Sequence, residues 1–135
     1  MSTHSKVYNV YFEEKLNIVV MEWSGYATSN DFREGTELML NILIQNNCSH
    51  VLANIRDMTI IGMDDQQWLE SNFLPRAIKF GFKKIAIVTP KAHFNKVAVE
   101  SISYKIDKEK LNITFFEDVK TAIEYFKPFP GHSMN

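Results

Sequence analysis

The sequence predicts an α/β domain built on a mixed five-stranded sheet, in the order β-β-α-β-α-β-α-β-α with an N-terminal antiparallel hairpin. Three observations carry that expectation. Two runs rich in β-branched and aromatic residues open the chain and are joined by only a short polar turn, so they must pair antiparallel. Lys84 to Thr89 is a near-continuous apolar run, the pattern of a parallel strand covered on both faces. Between the later strands lie stripes of helical period, and such alternation implies parallel strands joined by right-handed crossovers.

Taken in order, Val7 to Phe12 is the first strand, Glu13-Glu14-Lys15 the turn, and Asn17 to Trp23 the second strand, ended by Gly25. Thr28 is an N-cap with Asp31 three residues on, a variant of the capping box. Phe32, Thr36, Met39 and Leu43 then form one helical stripe, with Gly35 and Ile42 beside it. Asn46-Asn47 stops that helix, because Asn tolerates the left-handed position. Val51 to Ile55 is a buried strand and Arg56 to Gly62 a loop. A second helical region, Met63 to Phe80, carries the stripe Leu69, Phe73, Ala77 and Phe80. Pro75 should kink or break it, and Gly81 should cap it. After the Lys84 strand, a helix presents Phe94, Val97, Ala98, Ser101, Ile102 and Lys105. Leu111 to Phe116 is the last strand, and Asp118 caps a final helix with Val119, Ala122, Ile123 and Phe126 inward. Lys127-Pro128 stops it, and a loose tail follows.

A length of 135 residues, 45% of them hydrophobic, suits one domain spanning 1–135 with an ordered core over about 7–126. The 15 basic and 16 acidic residues leave a net charge of -1. That balance argues against a nucleic-acid partner, and no apolar run reaches the ~20 residues of a membrane span. The charge is uneven: 1–78 holds five bases and ten acids, whereas 79–110 holds eight lysines and three acids, read here as a solvated fringe. A lone cysteine, Cys48, reads as an inert small residue, and its isolation with the polar opening residues suits a cytoplasmic location.

Catalytic patterns are missing. No two histidines have chelating spacing, the glycines are isolated, and no serine sits in a nucleophile elbow. No catalytic residue, metal or cofactor is therefore assigned. Asp64-Asp65 reads as complementing a helix dipole. The candidate binding region lies where the third strand ends, since ligands gather outside the carboxyl ends of parallel strands. It comprises Asn54, Arg56, Asp57, Met58 and Thr59, with Trp68 and Arg76 from the next helical region. There Arg56 would anchor an anion, and Met58 and Trp68 would supply apolar contact.

Trp23-Ser24-Gly25, then Phe32-Arg33-Glu34-Gly35, then Asn54, Arg56 and Met58, resemble successive motifs of the bacterial SpoIIAA-like, STAS-like proteins. Asp65-Gln66-Gln67-Trp68, Pro75-Arg76-Ala77, Gly81, Lys84 to Pro90 and Glu117-Asp118 with Ala122 continue the likeness over nearly all of 7–126. The resemblance implies a STAS-like fold, related to anti-sigma-factor antagonists and compared with CRAL-TRIO lipid-binding domains. Classical antagonists carry a phosphorylatable Ser or Thr directly after an Asp. Here Met58 separates Asp57 from Thr59, and Gly62 holds the helix cap.

Two functions follow as expectations. The first is a non-enzymatic regulatory module that binds a protein partner through residues 56–62 and the first turn of the next helix; self-association would instead pair the edge strand of the opening hairpin or a neighbouring helix with its twofold mate. The alternative is a small-molecule or lipid-binding domain with an apolar or anionic ligand in a crevice near Arg56 and Trp68.

Overall fold

The computed structural model of the protein describes residues 2–4, 7–59, 61–90 and 93–127. Its strands are β1 (Ser2–His4), β2 (Tyr8–Glu13), β3 (Ile18–Gly25), β4 (His50–Met58), β5 (Lys84–Val88) and β6 (Asn112–Phe116). Its helices are α1 (Ser29–Gln45), α2 (Met63–Trp68), α3 (Leu74–Lys79), α4 (His93–Ser103) and α5 (Val119–Phe126). A wider π-helical turn, Leu69–Phe73, joins α2 to α3. The five expected strands are present, and β1 extends the sheet by one short edge strand that the polar opening residues do not announce. The expected loose tail lies outside the described residues.

The sheet runs in chain order from β1 to β6. The first two pairings are antiparallel and the other three parallel. Because β3 to β6 march in one direction, right-handed crossovers place each intervening helix on the same face. Only α5 remains for the other face, where Ile18, Val20, Leu52, Ala86, Val88 and Ala122 form a separate core.

Helix ends follow local chemistry. Thr28 accepts from the Asp31 amide at 3.1 Å while Asp31 accepts from the Thr28 amide at 3.3 Å, so the capping box is complete. At the far end Asn47 takes φ +50°, and the Cys48 amide reaches the Leu43 carbonyl at 2.9 Å. Gly81, at φ +109°, plays the same part after α3, and the Phe82 amide bonds Ala77 O at 3.0 Å.

Two expected stripes shift. Phe80 is exposed rather than inward, because Phe82, one residue beyond Gly81, packs back as the buried closing residue of that cap. On α4, Val97 and Ser101 face out, whereas Val99, Ile102 and Ser103, with Ile106 beyond the helix, turn toward the sheet. Their +3, +1, +3 spacing gives a fully apolar-to-small face, which outcompetes a stripe containing Lys105. Just before Pro75 the region divides into two α-helices, α2 and α3, with no gap between them: the wider turn joins them and absorbs the missing amide, with the Leu74 amide bonding Leu69 O.

Candidate functional site

The face covered by α1 to α4 presents two rows of strand residues. Parallel register aligns Val19, Val51, Ile85 and Ile113 in one row, and Met21, Ala53, Ile87 and Phe115 in the next. Ala53 is the smallest member of either row and stands between Met21 and Ile87. Above it opens an apolar cavity of about 150 Å³.

Each wall has a local cause. From α1 come Phe32, Thr36 and Met39, all buried. The turn from α2 to α3 supplies Leu69, Phe73 and Leu74. In a regular helix at 100° per residue, Leu74 would lie roughly 140° round from Leu69. The wider turn brings Leu74 back, so all three side chains line the space. Val99, Ile102, Ser103 and Ile106 close the side toward β5 and β6. Across this side, Lys105 Nζ approaches Glu70 at 3.5 Å.

The mouth lies at the carboxyl end of the sheet, where Met58, Thr59, Ile61 and Gln66 meet. Of these Thr59 is exposed and the others half-buried. The Thr59 amide is fixed to Gly25 O at 2.9 Å, and Gln66 Nε2 donates to Ile61 O at 2.9 Å. Register also shifts here: two residues of β4, Ile55 and Arg56, face the single Trp23 of β3. The Arg56 amide donates to Asn54 Oδ1 at 3.2 Å, which braces this bulge. Asn54 therefore shapes the strand end, and residues 56–58 belong to β4 rather than to a loop.

The arginines are engaged elsewhere. Arg56 Nη1 donates to Glu117 O at 3.2 Å, toward the α5 corner. Trp68 instead lies under the Arg33 guanidinium, 5.1 Å from ring to charge, and edge-on to Phe32. The expected crevice pairing Arg56 with Trp68 is thus replaced by two separate contacts, because the bulge turns Arg56 along the strand ends. Arg76 forms a bidentate pair with Glu37 at 2.7 and 2.6 Å, tying α3 to α1, and that carboxylate raises its pKa further. None of Asn54, Arg56, Asp57, Trp68 or Arg76 lines the cavity, whereas Met58 and Thr59 do.

Sequence reasoning did not anticipate Asp65 as a tertiary tie. It is buried, accepts from Ser29 Oγ at 2.8 Å and from Arg33 Nε at 3.0 Å, and so pins α2 to the start of α1. The signal was present in Arg33, whose partner lies too far along the chain for spacing rules to find. Around this tie runs an aromatic series: Tyr8, Trp23, Phe32, Trp68 and Phe73, with ring centres 5.3 to 6.1 Å apart. Tyr8 donates its hydroxyl to Glu34 at 2.5 Å; burial and then that carboxylate push its pKa up to about 12. Gly35 is obligatory beside these rings, since an added Cβ would stand 2.6 Å from the Trp23 ring.

A crystal structure of an uncharacterized protein of the DUF3478 family, from Shewanella loihica PV-4 and described as having a SpoIIAA-like fold, aligns with 94% of this chain and 99% of its own. The TM-score is 0.63 at 18% identity. The fold is SpoIIAA-like. No family model and no curated protein matches the chain in sequence. At that identity the likeness speaks for the SpoIIAA-like architecture alone. No helix among the described residues is long and apolar enough to cross a membrane.

Proposed function

We propose that this SpoIIAA-like domain is a non-enzymatic binding module that holds a small apolar molecule between its sheet and α1 to α4. The observation that carries the reading is the lining: among the described residues around the cavity, none is ionisable. Acid–base chemistry needs a positioned titratable group, and this wall offers apolar contact instead. An unfilled space also has a cost. At about 24 cal/mol per Å³, leaving 150 Å³ empty forgoes ~3–4 kcal/mol. A ligand that fills it recovers part of that energy.

Toluene titration tests the reading. Trp23 lines the cavity, so its fluorescence should saturate with added toluene. At 100 times Kd the melting temperature should rise on the order of 5–10 °C. A melting temperature that stays flat or falls would reject the reading.

A protein partner is the second reading, favoured by one surface feature outside the cavity. Tyr26 and Met63 stand 67% exposed on either side of a separate depression lined also by Ala27, Ser29 and Gly62, an apolar pair available to a docking surface. Replacing both with serine should abolish partner capture while leaving toluene binding unchanged. Equal capture by that double variant would remove the second reading.

A further inference from the structure

Resting on the apolar-ligand reading, we infer that the cavity selects neutral ring-sized molecules carrying a single hydroxyl or carbonyl, and rejects both carboxylates and long acyl chains. Size sets the first limit. A dry apolar cavity of about 150 Å³ is known to take benzene, and this one has the same volume. Roughly six to ten non-hydrogen atoms therefore fit inside, so that most of a sixteen-carbon chain would be left in water beyond the mouth.

Charge sets the second limit. Among the described residues, the walls hold no cation that could receive a buried carboxylate or phosphate. Arg56 and Arg76, the two arginines of the candidate binding region, are turned to Glu117 O and to Glu37. An anion drawn inside would lose its hydration without a partner.

Polarity is confined to one end, and this orients the guest. Thr59 and Gln66 stand at the mouth, with Met58 beside them. The Gln66 carbonyl oxygen can accept and the Thr59 hydroxyl can donate or accept. A hydroxyl on the guest would meet them there while its ring entered between Met21, Ala53 and Ile87. Methionines at three points of the wall, Met21, Met39 and Met58, let the space adjust to rings of differing outline.

Three probes test this in the full chain: cyclohexanol, cyclohexanecarboxylate at neutral pH, and palmitate, read by Trp23 fluorescence in a Trp68→Phe background and by calorimetry. Cyclohexanol should bind, with the carboxylate weaker by roughly 100-fold or more and palmitate without a saturable signal. Ala53→Leu, and separately Ile87→Phe, should lower cyclohexanol affinity at least about tenfold by filling the space. Circular dichroism melting identifies whichever of the two variants stays folded. If palmitate or the carboxylate binds as tightly as cyclohexanol, the selectivity is overturned while the apolar-ligand reading stands. If the folded variants bind cyclohexanol as the unaltered chain does, the site lies elsewhere and the inference fails. If cyclohexanol and toluene both leave fluorescence and heat unchanged, the functional reading itself falls.

Discussion

The two faces of the sheet solve the same packing problem with opposite results. Under α5, small and large strand residues alternate so well that Leu52, Ala86 and Val88 are all fully covered by one short helix, whose own Ala122 is buried against them. The other face has four helices over it yet keeps a hollow beside Ala53, with Ile85 and Ile87 only half-buried. More cover did not mean tighter packing. A single amphipathic helix settles onto a row of strand residues at whatever height suits them. Several helices tied to one another by Arg33–Asp65 and Arg76–Glu37 hold a common height, and a small residue beneath them leaves space.

The largest expected effect breaks this contrast directly. Leu52→Ala, under α5, should cost about 3–4 kcal/mol, because its surroundings cannot collapse. Ile87→Ala, at the hollow, should cost only ~1–2 kcal/mol, since part of its contact is already missing. Urea unfolding of both variants measures the difference, and equal losses would mean the two faces are packed alike. Next in size, Gly35→Ala forces α1 away from Trp23 and should cost ~1–3 kcal/mol, with a shifted near-ultraviolet tryptophan signal.

A pH titration sharpens the comparison further. The Tyr8 pKa stands at about 12 in the folded chain against 10.0 ordinarily. Between those values the unfolded tyrosine has lost its proton and the folded one has kept it, so stability falls as pH rises. The fall above pH 10 should be steeper in the natural chain than in Tyr8→Phe, and parallel curves would contradict the Tyr8–Glu34 bond. The smallest effect belongs to Arg56→Ala. Its hydrogen bond to Glu117 O is solvent-exposed, so the variant should lose less than about 1 kcal/mol. Cyclohexanol affinity should not change, which isothermal calorimetry checks.

Local signals were legible wherever a residue acts on its own neighbourhood. Thr28 and Asp31 at the start of α1, Asn47 at its end, Gly81 after α3 and Asp118 before α5 all act within a few residues, and each stands where spacing rules placed it. Of the candidate site residues, Met58 and Thr59 at the strand ends reach the cavity proposed as the binding site, and the others do not. Arg56, Trp68 and Arg76 are attractive residues by type, yet a guanidinium seeks the partner that folding brings nearest, and those partners lie 61, 32-residue-distant or 39 positions away for Arg56, the Arg33–Asp65 tie over Trp68 and Arg76 respectively.

The sequence by itself determined the fold class, the hairpin, the strand order and the caps, because period, turn chemistry and crossover handedness are properties of the chain read a few residues at a time. Only the tertiary structure decided that a hollow with no ionisable residue among its described lining stands above the sheet. A cavity belongs to no residue: it arises where Ala53 of one strand lies beneath a helical turn widened ahead of Pro75, and where α4 turns Val99 and Ile102 inward. Volume left between elements depends on the sum of side chains from all of them, and no window along the chain contains that sum.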